Sequence, residues 1–261
     1  MIAVRDLVKT FGEVTAVGGI TFDVRPGEIF AFLGPNGAGK TTTIQMLTTL
    51  LRPTSGSITI DGLDPAARPL EVRRRFGIVF QDPSLDHELT ARENMDLHGV
   101  LYHVPRRARA ERIETLLKLF ELWDRRDSRV KTFSGGMRRR LEIARGLLHT
   151  PKILFLDEPT LGLDVQSRNQ LWTHVRHLNE TEGVTVFLTT HYMDEAERVA
   201  QRIAVIDHGR IVAQGSPQEL KQQTGTDSLE AAFLALTGTS IRDESADAAD
   251  QMRQVAKMWR R

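Results

Sequence analysis

The segment Gly34-Pro35-Asn36-Gly37-Ala38-Gly39-Lys40-Thr41 matches the pattern G-x-x-x-x-G-K-S/T of a phosphate-binding loop. It follows the apolar run 29–33, which is typical of a buried strand. It precedes a segment in which Ile44, Leu47 and Leu51 fall on one face of a helix. Because this pattern binds phosphate where a strand leads into it and a helix follows, its neighbours favour a nucleotide site over a chance glycine-rich turn.

The residue types in this loop suit the phosphates of a nucleotide. Glycines let backbone N–H groups converge on phosphate oxygens at the positive end of a helix. Lys40 adds a positive charge near the β- and γ-phosphates, and the hydroxyl of Thr41 is a ligand for Mg²⁺. We therefore predict that the phosphates of a nucleotide, together with Mg²⁺, bind to residues 34–41 and the adjacent Thr42.

Further apolar runs predict the rest of the fold. Three of them look like strands buried on both faces, separated by helix-length segments as in a parallel α/β sheet. They are residues 78–80, 153–156 and 184–188. Alternating apolar residues at Ile20, Phe22 and Val24 predict antiparallel strands near the start of the chain. Between residues 83 and 148 the pattern becomes helical and rich in arginine, which predicts a helical insertion.

The predicted fold class is α/β, with a phosphate-loop core, an antiparallel β subdomain and an inserted α-helical subdomain. We predict a nucleotide-binding domain over residues 1–238, with the helical subdomain inserted at about residues 82–150, and a helical tail over residues 239–261. Arginine clusters such as residues 138–140 are expected on solvated helix faces.

Composition narrows the possible functions. The 35 basic and 34 acidic side chains give a net charge of +1, which argues against a generally basic nucleic-acid binder. No cysteine is present, so disulfides and thiolate metal sites are excluded. No run approaches the ~20 apolar residues that cross a bilayer. We therefore expect a cytoplasmic location and a membrane role that depends on a partner.

Two adjacent carboxylates end the predicted strand 153–156. Neighbouring residues on a strand point in opposite directions, so Asp157 and Glu158 are expected to have distinct roles. Beside a phosphate loop, Asp157 is placed to bind the metal, and Glu158 to orient and deprotonate an attacking water. Two solvated acids at a strand end are the alternative.

A third motif, Phe133-Ser134-Gly135-Gly136-Met137, precedes a predicted helix. There Ser134, Gly135 and Gly136 can present a hydroxyl and N–H groups to a phosphate, although alone they would indicate a turn. With this motif the chain resembles the ABC (ATP-binding cassette) ATPases from about residue 2 to about residue 238. The resemblance implies that this serine and these glycines contact the γ-phosphate of ATP held by the opposite subunit, in a homodimer or paired cassette with two ATP at the interface.

The same resemblance implies roles for four further residues. Gln81 is the glutamine that senses Mg²⁺ and the γ-phosphate, and His191 holds the γ-phosphate and the attacking water. Asp164 belongs to an aspartate loop that crosses the dimer interface, and Phe11 stacks on adenine.

Phe133 and Met137 depart from the commoner leucine and glutamine and, with the arginines that follow, resemble the ABC-2 type exporters of drugs, polysaccharides and lipid-linked substrates. This implies a separately encoded integral membrane permease at the cytoplasmic face of the cell membrane, with no nucleic-acid partner. A soluble cassette ATPase acting on the ribosome or DNA is the alternative. A phosphate-loop kinase is a third, but it has no use for Ser134 acting in trans.

Overall fold

The computed structural model describes residues 1–238, and the predicted helical tail lies outside the described residues. The strands are β1 (Ile2–Phe11), β2 (Val14–Val24), β3 (Ile29–Leu33), β4 (Ser55–Ile60), β5 (Phe76–Val79), β6 (Ile153–Asp157), β7 (Thr185–Thr190), β8 (Arg202–Asp207) and β9 (Arg210–Gly215). The helices are α1 (Lys40–Leu47), α2 (Pro69–Arg73), α3 (Ala91–Leu101), α4 (Arg106–Leu119), α5 (Gly135–Gly146), α6 (Val165–Glu182), α7 (Met193–Val199), α8 (Pro217–Thr224) and α9 (Leu229–Thr237).

A six-stranded sheet forms the core, in the order β5-β6-β7-β3-β8-β9. Neighbouring strands are parallel except for the antiparallel hairpin of β8 and β9. Every residue of β3, β6 and β7 is buried, as expected for strands covered on both faces. Their carboxyl ends therefore meet along one edge of the sheet, where α/β proteins bind their ligands.

A second, three-stranded antiparallel sheet has the order β2-β1-β4. Its apolar face packs on the core sheet through aromatic contacts. The ring of Phe22 on β2 lies 5.7 Å from that of Phe30 on β3 and 6.0 Å from that of Phe187 on β7. The two sheets and the helices make up the predicted α/β fold class with its antiparallel subdomain.

Helices α3, α4 and α5 lie between β5 and β6, so the insertion is helical as predicted. It has an apolar interior in which Leu116, Leu117 and Leu141 are fully buried. A capping box starts α3, where the Thr90 hydroxyl and the Glu93 carboxylate bond to each other's backbone N–H. The bounds proposed for this subdomain, about residues 82–150, stay a prediction.

Some predictions of local structure need correction. Leu51 lies beyond α1, because Thr49 takes a φ of +65° that a helix cannot continue. Phe80 lies just outside β5, which ends at Val79. In the arginine cluster 138–140, Arg139 is buried rather than solvated, with 7% of its surface exposed. Among the helices at residues 1–238, none combines the length and apolar character that crossing a bilayer requires.

Candidate active site at the carboxyl edge of the core sheet

The phosphate loop joins the end of β3 to the start of α1. Gly39 is the N-cap of α1, so no side chain covers the first N–H groups of this helix. Its φ is +102°, and a Cβ there would lie 2.6 Å from the carbonyl oxygen of Ala16. Glycine is therefore required at this position, and the helix start is left open for an anion.

Lys40 is folded into the loop and is only 5% exposed. Its Nζ donates to the carbonyl oxygens of Gly34 at 2.8 Å and Pro35 at 3.1 Å, and lies 3.2 Å from Oε1 of Glu158. Burial lowers the pKa of Lys40, while the nearby carboxylates of Glu158 and Asp157 oppose that shift. The ammonium thus lies at the centre of the loop.

Asp157 is the last residue of β6 and is almost fully buried. Its Oδ1 accepts a hydrogen bond from the Thr189 hydroxyl at 2.5 Å, and the Thr41 hydroxyl is a second partner. Burial raises the pKa of Asp157, and these two hydrogen bonds act in the opposite direction. Oxygen atoms from β6, β7 and the phosphate loop therefore lie together here.

Glu158 follows Asp157 with a φ of +48°, and it contacts Lys40 on one side and His191 on the other. Its Oε2 is hydrogen-bonded to Nδ1 of His191. Its backbone N–H donates to the carbonyl oxygen of Thr189 at 3.2 Å, which fixes the position of the turn. Burial raises the pKa of Glu158, but the bond to His191 and the charge of Lys40 outweigh burial and lower the pKa below its usual value. The carboxylate is therefore ionised at neutral pH and can accept a proton.

Two further residues predicted for the site lie at or just beyond the ends of strands. Gln81 follows β5, which neighbours β6, and its side chain is exposed. Phe11 ends β1 half-buried, with Nζ of Lys9 5.0 Å from the centre of its ring.

The serine-glycine motif and the aspartate loop each begin a helix. Ser134 is the N-cap of α5, and its hydroxyl accepts the N–H of Met137 at 3.2 Å. Asp164 is the N-cap of α6 and accepts the N–H of Ser167 at 2.9 Å. A Cβ at Gly136 would lie 2.5 Å from the Ser167 hydroxyl, so the two helix starts are adjacent.

Phe133 and Met137 stand where leucine and glutamine are commoner, and the packing around them explains both residues. Phe133 is buried, and the Arg125 guanidinium lies 5.6 Å from the centre of its ring. Met137 is partly buried and packs against the main apolar core. A thioether makes these contacts where the commoner glutamine would offer an amide.

Residues 17–161, more than half of the chain, match the family described as ABC transporter. The chain belongs to this family. It is therefore an ATP-binding cassette with ATPase activity, and the predicted fold class, family and enzyme class are confirmed.

Two curated relatives and one solved structure illustrate the similarity of this ABC ATPase. The chain is 49% identical over 223 residues to the daunorubicin/doxorubicin resistance ATP-binding protein of Streptomyces peucetius, covering 85% of this chain and 67% of that protein. It is 42% identical over 231 residues to the Nod factor export ATP-binding protein I of Ralstonia nicotianae, covering 88% and 72%. A dimeric post-hydrolysis ATP-binding cassette bound to ADP and phosphate matches with a TM-score of 0.75 and 28% identity, covering 83% of this chain and 98% of that one. The predicted likeness to exporter cassettes is thus confirmed.

Sequence reasoning missed two residues of this region. Thr189 holds both Asp157 and the backbone of Glu158, yet in the sequence it looks like any residue of a buried strand. Arg139 bonds to the backbone on both sides of the site, yet it stands in a run of three arginines that suggests a solvated face. In the sequence, Thr189 lies close before His191, and this was the only signal for a role of Thr189 in the site. No feature of the sequence indicated a role for Arg139.

Proposed function

We propose that this ABC ATPase powers export through a separately encoded permease, at the cytoplasmic face of the cell membrane. Two copies bind two ATP at their interface, and hydrolysis drives the permease. The observation that carries the proposed chemistry is the contact of Lys40, Glu158 and His191 at the carboxyl edge of the core sheet. The similarity to ATP-binding proteins of drug resistance and of Nod factor export supports export over the ribosome or DNA alternative.

The proposed reaction uses this contact directly. The triphosphate binds at the start of α1 and replaces the Gly34 and Pro35 carbonyl oxygens as the partner of Lys40. A water attacks the γ-phosphorus, the bond to the β-phosphate oxygen breaks, and the water proton passes to the Glu158 carboxylate, giving ADP and phosphate. His191 holds Glu158 through Nδ1, so its other ring nitrogen, Nε2, is the one proposed to contact the γ-phosphate.

The residues around Asp157 fit Mg²⁺. The metal prefers hard oxygen ligands and is ordinarily held by one or two protein groups together with substrate phosphates. The Asp157 carboxylate and the Thr41 hydroxyl are already hydrogen-bonded partners, and residues 1–238 contain no cluster of three or more acidic or histidine ligands that would form a closed metal site. We propose that these two, with Gln81, hold Mg²⁺, which when bound neutralises charge on the transferring phosphate.

The proposed dimer interface carries Ser134, Gly135, Gly136 and Asp164. The starts of α5 and α6 are adjacent, so the serine-glycine motif and the aspartate loop lie on one surface. Two apolar side chains near Asp164 are exposed, Leu161 at 40% and Val165 at 72%. Exposed apolar side chains beside an anion-binding helix start suit a surface that closes on another copy holding ATP.

Mixing two inactive variants tests the shared sites. A Lys40→Ala chain paired with a Ser134→Arg chain forms one intact composite site and one doubly damaged site. We expect the mixture to recover up to about a quarter of the wild-type rate, because half of the dimers are mixed and each has one good site. Steady-state phosphate release at a range of mixing ratios measures this recovery. A mixture as inactive as its parents, although mixed dimers form, would contradict the proposal that each site works with Ser134 of the other chain.

The proposed permease-docking face lies on α3, within residues 82–103. Leu97, Val100 and Leu101 are exposed there at 51%, 49% and 67%. The acidic residues of the same segment stabilise the helical subdomain, since Glu93 completes the cap of α3 and Asp96 lies 2.6 Å from Arg109. The leucines are therefore the better positions for a docking test.

Leu97→Glu and Leu101→Glu are expected to weaken binding to the permease by about 10-fold or more, because burying a leucine contributes about 1.5–3 kcal/mol. Basal ATPase should change by no more than about twofold, as for most surface substitutions. Leu70→Glu on α2, where Leu70 is 70% exposed, is the matched control. Co-fractionation with membranes that contain the permease measures binding. Membrane association that persists in cells without the permease would point to lipid contact and contradict this account.

A further inference from the structure

Arg139 lies where α5 meets the ends of two core strands. It is in the second turn of the helix that begins at the serine-glycine motif. The guanidinium is buried and donates to one carboxylate and four backbone carbonyl oxygens. The acceptors are Pro159 O at 2.8 Å, Phe80 O at 2.5 Å, Glu142 Oε2 at 2.9 Å, Gln81 O at 3.3 Å and Glu158 O at 3.4 Å.

These acceptors belong to two functional segments. Phe80 and Gln81 follow β5, while Glu158 and Pro159 follow β6, and the two strands are parallel neighbours. Carbonyl groups beyond a strand end have left the sheet, and when buried they need another donor. The guanidinium has five N–H donors spread over a plane, and they meet five acceptors on both segments and on Glu142. The ammonium of a lysine has only three donors on one atom, so it cannot replace all of these bonds.

Glu142, on the same helix as Arg139, connects that helix to the segment that follows Gln81. It is 3% exposed and balances the buried charge of Arg139. Its second oxygen, Oε1, accepts the N–H of Ser84 at 2.7 Å, and the Ser84 carbonyl accepts Nη1 of Arg145 at 2.8 Å. The backbone on the far side of Gln81 is thus bonded to the same helix.

We propose that Arg139 is a positioning residue that holds Gln81 and Glu158 at a fixed place relative to Ser134. When the serine-glycine motif closes on the partner's ATP, Arg139 transmits that movement to Gln81 and Glu158, which act on this chain's own ATP. The inference rests on the proposed function, because it uses the roles given there to these three residues. Arg139 contacts backbone and Glu142, so its loss affects the coupling of binding to turnover rather than the binding of ATP.

The test compares Arg139→Lys with Arg140→Lys. Arg140 is the next residue of the same helix and pairs with Glu121 at 3.3 Å, away from the strand ends. In Arg139→Lys we expect kcat to fall roughly 10- to 100-fold, the cost of misplacing reacting groups by about an ångström, with KM for ATP changed less than about threefold. The Hill coefficient for ATP should fall towards one. Arg140→Lys keeps a positive charge opposite the exposed carboxylate of Glu121 and should keep kcat within about twofold of the wild type.

Glu142→Gln is the second variant, because it keeps the shape of the side chain, removes the charge that pairs with Arg139 and leaves one oxygen to accept from either Arg139 or Ser84. It should lower kcat and the Hill coefficient in the same direction by a smaller factor, even if the Arg139 variants do not fold. If Arg139→Lys and Glu142→Gln lower only the melting temperature and leave kcat and the Hill coefficient as in the wild type, the residue is merely structural. Glu158→Gln, measured in parallel, distinguishes failure of the inference about Arg139 from failure of the proposed function. If it is inactive while Arg139→Lys is normal, the inference about Arg139 fails alone; if it turns over normally, the proposed function fails.

Discussion

ATP turnover by the Glu158→Gln variant is expected to fall by about 10²-fold or more, the loss typical of a missing general base. Glutamine keeps the size of the side chain and can still bond to His191, but its amide does not accept the proton of the attacking water. Lys40, Thr41 and Asp157 remain, so ATP should bind with an affinity close to that of the wild type. Phosphate release and nucleotide binding, measured on the same preparation, report the two effects separately.

Glu28→Gln is the matched control for this change. Glu28 is also a buried glutamate, but it stands just before β3 and pairs with Arg202 at 2.9 Å. Its replacement is expected to lower stability while the rate per folded molecule stays within about twofold of the wild type. If both variants lose turnover equally, the loss is due to impaired folding. Glu158 is then not the general base of ATP hydrolysis.

Lys40→Met is expected to weaken ATP binding roughly 10- to 100-fold, since hydrogen bonds to charged groups contribute about 1.5–3 kcal/mol. Methionine preserves the length of the side chain but offers no donor to the phosphates. Hydrolysis should be lost even at saturating ATP, because the charge opposite Glu158 and the γ-phosphate is missing. Equilibrium binding of a fluorescent ATP analogue measures the loss of affinity.

Lys152→Met serves as the control, because Lys152 is a half-exposed surface residue that pairs with Asp61 at 2.9 Å. A surface pair contributes little, and this variant should bind ATP as the wild type does. If Lys40→Met binds ATP equally well, Lys40 does not contact the phosphates.

The parts of the fold that sequence predicts well are those governed by local rules. The phosphate loop requires glycine at position 39 for backbone reasons, and the apolar runs of β3, β6 and β7 reflect burial on both faces. The capping box at the start of α8 is likewise local, because Ser216 and Glu219 are only three residues apart.

Contacts between distant segments are what the sequence alone does not reveal. Arg139 lies about 20 residues before Glu158 and nearly 60 after Gln81, so its role depends on strands that become neighbours only in the folded chain. Thr189 meets Asp157 for the same reason. The residue type alone is misleading in both cases. A basic residue on a helix suggests a solvated surface, and a threonine in a strand suggests an ordinary residue of the sheet.

The most direct test of the central claim is the nucleotide content and mass of purified Glu158→Gln incubated with ATP and Mg²⁺. Light scattering coupled to size exclusion gives the mass, and chromatography of the released nucleotide gives its identity and amount. We expect a stable dimer that retains two molecules of unhydrolysed ATP, because both composite sites close while the general base is missing. A monomer, or a dimer that contains ADP and has released phosphate at the wild-type rate, would contradict it.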